Sequence, residues 1–278
     1  MPTETLDIAI TDIEYLRHGD APLAMRLFRP AASRPHPVVL DLHGGAWNKG
    51  DLGGCQARCE YIAATGIAMA AIDFRQAADG YLATMADINY AVRWLKAHAG
   101  EHGLDPDRVG ITGQSSGGHL AMLSAMRPHD PRYGAQALPG VDATVRCVGM
   151  TWPVINPLSR YNHAKRARAS GDGWVGDIPE RHDIYWKDEA AMAEGNPMLA
   201  LERGETLATP PALWVQGRPD IVHDYRDPDS PRDLNEPERF AANYRDAGGD
   251  IEIVYIEQDN RASQTAHAPL ADFFHRHL

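Results

Sequence analysis

Residues 108–126 read "RVGITGQSSGGHLAMLSAM". A short apolar run meets two serines fenced by glycines, and an apolar helical pattern follows. Gly113-Gln114-Ser115-Ser116-Gly117 fits G-x-S-x-G. Between a strand and a helix, that spacing forces the middle residue to the tip of a sharp turn. Ser115 is therefore the candidate nucleophile. The helix beginning near Ser116 aims its N-terminal N–H groups at the same point, where they favour negative charge. Ser116 is expected to contribute its N–H rather than its hydroxyl.

A second stretch, "LHGGAW" at 42–47, also follows an apolar run. Its small residues let backbone N–H groups come close to a bound group. Gly44 and Gly45 are the expected donors to a developing oxyanion, a contribution worth on the order of 3 kcal/mol of barrier per donor. His43, at a strand end beside those glycines, is read as holding the loop. His119, in the helix after the serine, is read as structural.

These residues need a scaffold. Residues 7–14 and 23–28 look like two strands joined at His18-Gly19-Asp20. Buried strands are expected at 36–45, 67–75, 105–113, 143–151, 211–217 and 251–256. Helical spacing covers 55–65, the segment after a Thr84/Asp87 capping box up to Gly100, 236–247 and 266–277. Strands alternate with helices from residue 37 onward. The fold class is α/β: a mostly parallel sheet of about eight strands with helices on both faces. The whole chain, 1–278, reads as one domain. Residues 156–209 break the rhythm; they are polar and carry Tyr161, Trp174, Tyr185 and Trp186. Those aromatics need burial, so an inserted cap is expected there.

Composition narrows the function. A formal net charge of −11 argues against non-specific nucleic-acid binding. "HAKRARA" at 163–169 is the one short basic cluster and reads as an exposed helix face. No signal peptide and no apolar run long enough to span a bilayer is evident. Cys55, Cys59 and Cys147 cannot all pair, and nothing nearby completes a zinc set. Free, mostly buried thiols in a reducing cytoplasm are expected.

"LDLHGGAW", "AIDFR", "DPDRVGITGQSSGGHLA" and "VQGRPD", in that order, resemble an α/β-hydrolase. More narrowly they resemble the HGG-type esterases related to hormone-sensitive lipase and to the feruloyl-esterase-like and kynurenine-formamidase-like branches. The resemblance implies a Ser–Asp–His triad in that chain order, no metal and no organic cofactor. It places the nucleophile on Ser115 and the oxyanion donors on Gly44, Gly45 and Ser116. The acid falls on Asp220, just past "PALWVQG", ahead of Asp224.

The third member departs from the pattern. The family usually carries its histidine directly after the last strand, but that place reads "EQDNRASQ" (257–264). The next histidine, His267, stands before Ala268-Pro269 and is taken as the base; His223 is the weaker rival. Trp47 and Trp152, with the insert's aromatics, are expected to wall the substrate pocket. The expected activity is hydrolysis of small carboxylic esters through an acyl-enzyme. The alternatives are an arylformamidase-like amidase and a ligand-binding protein on the same scaffold, since some relatives lost the histidine and became receptors. The partner is a small ester or amide, and the oligomeric state is left open, homo-oligomer included.

Overall fold

The computed structural model describes residues 5–32, 35–134, 136, 138–257 and 264–278. A hairpin opens the chain, with β1 over Ile8–His18 and β2 over Ala21–Pro30. Then come β3 (His36–Leu42), α1 (Gln56–Ala63) and β4 (Ala68–Ile72). Helix α2 covers Tyr81–Ala97 and the short α3 Ala99–His102. Strand β5 (Leu104–Gln114) leads into α4 (Ser116–Met126), and β6 (Val148–Thr151) follows. The segment between β6 and the next strand holds α5 (Pro157–Ala169), α6 (Ile178–Trp186), α7 (Glu189–Glu194) and α8 (Pro197–Glu202). Strand β7 (Ala212–Arg218), α9 (Glu236–Asp246), β8 (Ile251–Glu257) and α10 (Gln264–His277) complete the order.

The eight strands form one sheet in the order β1-β2-β4-β3-β5-β6-β7-β8. The hairpin and its junction with β4 are antiparallel; every pairing from β4 to β8 is parallel. The central strands β3 and β4 are buried at every position, as parallel strands covered on both faces must be. Their side chains alternate between two cores, as a period of two requires. Val38, Leu40 and Leu42 enter one core with α2, α4 and α9. Val39, Met69, Leu213 and Val215 enter the other, against α1 and α10.

Helix α2 departs from expectation at both ends. It begins at Tyr81 behind Gly80, so Thr84 and Asp87 lie inside it and form no capping box. The Thr84 hydroxyl donates to the Arg75 carbonyl at 2.6 Å. Asp87 is fully buried and accepts from the Arg75 guanidinium and from the Arg75 N–H. A tertiary partner thus outcompetes the local cap. The chain leaves this helical region at Gly103, in the left-handed conformation, rather than at Gly100.

Among the described residues no helix is long and apolar enough to cross a membrane. All three cysteines are buried and unpaired. Burial pushes the Cys147 thiol up to about 12, and burial with the nearby Asp41 charge raises Cys55 and Cys59 well above the ordinary range. Such thiols are not nucleophiles at neutral pH.

Candidate active site

Strand β5 and helix α4 meet at Ser115, whose φ of +54° is rare for a residue with a side chain. Its own N–H donates to Thr151 O at 2.9 Å, and its carbonyl accepts from Val154 N and His119 N. These bonds hold the strained turn that tips the hydroxyl outward. The flanking glycines are needed for close backbone contact. A Cβ on Gly113 would lie 2.3 Å from Gly117 O, and one on Gly117 would lie 2.2 Å from Leu42 O. Ser115 is partly exposed, and Ser116, the first residue of α4, is buried. No side chain caps α4, so its leading N–H groups keep their donor capacity at this point.

The glycine loop after β3 packs against the same turn. A Cβ on Gly44 would stand 3.0 Å from Gln114 O and 3.5 Å from Ser115 Cβ. Gly45, Ala46 and Trp47 all have positive φ, so this loop is tightly coiled. It is held by Asn48, whose side-chain amide donates to Ala46 O and to Arg181 O at the N-terminal part of α6. His43 accepts no proton from Ser115; its ring stacks on Phe74 at 4.3 Å and its Nδ1 lies 2.8 Å from Gly44 O. Burial pulls its pKa down.

The acid and an imidazole arrive together on the loop after β7. Asp220 Oδ1 accepts from Val222 N at 3.0 Å and His223 N at 3.2 Å, closing a tight turn. Its Oδ2 lies 2.9 Å from His223 Nδ1. An unprotonated carboxylate oxygen can only accept, so Nδ1 carries the proton and Nε2 presents a lone pair. That Nε2 is 3.2 Å from Ser115 Oγ. Asp220 and His223 are both buried, and Gln216 Nε2 also reaches Asp220 Oδ2 at 3.3 Å. Asp224, the rival acid, is tied to Arg218 and Asn235 instead.

His267 does not come to Ser115, which corrects the sequence expectation. Helix α10 starts at Gln264, before His267, and packs against α1 on the face of the sheet opposite α4. The His267 ring lies 5.7 Å from that of Tyr61. Burial, aided by the Arg58 charge, lowers its pKa to about 4. Most of the expected loop, residues 258–263, lies outside the described residues. The imidazole that reaches Ser115 is instead that of His223, the weaker rival in the sequence, three residues after Asp220. The informative signal is that one aspartate oxygen can cap the turn while the other faces the imidazole.

A cleft of about 400 Å³ opens over these groups, lined by Gly44, Gly45, Gln114, Ser115, Trp152 and His223 among others. Trp152, directly after β6 with φ of +46°, lines this cleft. Trp47 does not wall the cleft. It is buried among His119, His182, Tyr185 and Trp186. The physical reason is its indole N–H, which donates to His119 Nδ1 at 3.2 Å, while His119 Nε2 donates to Gly195 O at 2.8 Å. This chain ties the glycine loop, α4 and the junction of α7 and α8 together. Burial takes the His119 pKa down to about 4, so its ring is neutral. Among the described residues no cluster suited to a metal ion is present.

The BD-FAE family model matches residues 25–222. The chain is 32% identical over 196 residues to the esterase LipC of Mycobacterium tuberculosis, covering 68% of this chain and 46% of LipC. It spans between 23% and 64% of the length of three such curated relatives. Among solved structures, the propionate-bound Est2 esterase of Thermogutta terrifontis superposes with a TM-score of 0.69 at 22% identity, covering 98% of this chain and 94% of that one. The Pyrobaculum calidifontis esterase does so with a TM-score of 0.72 at 19% identity, covering 98% and 86%. By its sequence the chain belongs to the BD-FAE family, and its eight-stranded sheet has the α/β-hydrolase fold.

Proposed function

We propose that the protein is a serine hydrolase of small carboxylic esters, acting through an acyl-enzyme on Ser115. The observation that carries this reading is the relay from Ser115 Oγ to His223 Nε2 (3.2 Å) and from His223 Nδ1 to Asp220 Oδ2 (2.9 Å), mounted on a strained turn at the floor of a cleft. The esterase names of its relatives agree with it.

In this mechanism His223 takes the Ser115 proton as the oxygen attacks the ester carbonyl. Asp220 holds the imidazole in the tautomer that accepts and stabilises the imidazolium. Negative charge on the tetrahedral oxygen falls among the N–H groups of Gly44, Gly45 and Ser116. His223 then gives its proton to the departing alkoxide. Water, deprotonated by the same imidazole, releases the acid. The ligand-binding alternative requires that no imidazole serve Ser115, and the His223 Nε2 at 3.2 Å speaks against it.

The test is steady-state hydrolysis of p-nitrophenyl acetate by wild type, Ser115→Ala, His223→Ala and His267→Ala. The first two substitutions are expected to lower kcat by about 10³-fold or more. His267→Ala is expected to keep kcat within about threefold, because the ring makes no contact with the reacting groups. An inert wild type, or full activity in His223→Ala, would overturn the reading.

A further inference from the structure

Resting on the relay above, we propose that Arg160 and His163 of α5 are positioning residues for the His223 imidazole. They act through the carbonyls of the two residues between it and Asp220, Ile221 and Val222. From one side, Asp220 Oδ1 holds the N–H groups of Val222 and His223. From the other side, His163 Nε2 donates to Ile221 O at 2.9 Å and Arg160 Nη1 donates to Val222 O at 2.5 Å. The two N–H groups and the two carbonyls nearest the imidazole on this turn are thereby held from both sides.

At Ile221, side-chain packing does little of this. The Ile221 side chain points outward, with the residue 60% exposed. The helix supplies the rigidity instead. Positions 159, 160 and 163 share one face of α5. Ser159 Oγ meets Tyr225 OH at 3.1 Å, and the His163 ring is sandwiched between Tyr225 at 3.9 Å and Trp174 at 5.1 Å. The Arg160 guanidinium lies over Trp174 at 5.0 Å.

Arg160 is an unusual choice for a merely structural role. It is 5% exposed and forms no ion pair among the described residues. Burying an unpaired guanidinium is costly, and burial pulls its pKa down to about 10. The Asp220 carboxylate opposes that shift and favours the cation. A cation kept there at such cost holds the one carbonyl adjacent to His223. The geometry gains from it: at 3.2 Å the Ser115–His223 contact has little slack, and a shift of about 1 Å would cost on the order of 100-fold in rate.

The experiment compares Arg160→Met, Arg160→Lys, His163→Phe and His163→Gln with wild type. Each is assayed for kcat and KM on p-nitrophenyl acetate, for the rate of Ser115 labelling by a fluorophosphonate, and for the thermal midpoint. Arg160→Met is expected to lower kcat about 30-fold with KM changed less than about threefold, and His163→Phe, which keeps the ring stack, about 5–10-fold. His163→Gln retains a donor in place of Nε2 and is expected to recover most of the loss; Arg160→Lys is expected to recover part. Labelling should slow by similar factors.

Folded Arg160→Met and His163→Phe proteins with kcat and labelling within about twofold of wild type would overturn the proposal. So would losses that conservative variants fail to restore. If Arg160→Met does not fold, the His163 pair decides alone. An inert, unlabelled wild type sinks the hydrolase reading and this proposal with it. An active wild type that needs His223 but ignores the His163 change sinks this proposal only.

Discussion

Asp220 does two jobs with two oxygens. Oδ1 closes the turn and Oδ2 fixes the His223 tautomer. Asp220→Asn keeps an oxygen for the turn but can set an amide N–H against Nδ1. The imidazole would then carry its proton on Nε2, facing Ser115, and could not accept. The expected outcome is a loss of about 10³–10⁴-fold in kcat with the thermal midpoint nearly unchanged, read by steady-state kinetics and a melting curve. Undiminished turnover in that variant would show that the tautomer is set elsewhere. Ser115 was legible because its turn demands particular neighbours, glycines at 113 and 117. His267 and His223 differ only in what the fold brings near them, and no local pattern encodes that.

At the scale of elements, the floor beneath the serine is a buried ion pair linking β3 to α1. Arg58 donates to both oxygens of Asp41, at 2.8 and 2.6 Å, and reaches Gln114 Oε1 at 3.2 Å. Asp41 is fully buried and Arg58 is 4% exposed. Such a pair adds little net stability, but breaking it leaves a charge without a partner. Arg58→Met is expected to cost about 3–5 kcal/mol, measured as a lower urea midpoint at unchanged slope. A shift below about 1 kcal/mol would mean that Asp41 finds other donors or takes up a proton. Most elements were legible from periodicity, because apolar strands and amphipathic helices advertise their buried faces. The start of α2 was not: Thr84 and Asp87 have capping spacing, yet Arg75 claims both.

The whole molecule carries several histidines that folding keeps neutral. His119, His182 and His267 are each drawn from 6.5 down to about 4, burial being the main cause. Unfolding returns them to their ordinary value. Between about pH 4 and 6.5 the unfolded chain therefore binds more protons, and stability falls as pH falls through that window. Glu236 acts oppositely: burial raises it from 4.5 to about 7, so its contribution is lost as pH rises between those values. Burial also lowers His43 and His163 and raises Glu194, so five histidines act against two glutamates. The thermal midpoint is expected to drop between pH 7 and pH 5, and a midpoint that holds or rises would contradict the balance.

By itself the sequence determined the α/β rhythm, the strained turn at Ser115, the glycine loop and the position of Asp220 after β7. Each is local: apolar period, glycine placement and distance along the chain are properties of short segments. Only the tertiary structure decided which imidazole faces the serine and which tryptophan lines the cleft. Those outcomes depend on how the loop after β7 is held by α5, how α10 is drawn onto the far face of the sheet, and where the indole N–H of Trp47 finds its acceptor. Contacts between residues far apart in the chain are set by packing of whole elements, which spacing alone does not record.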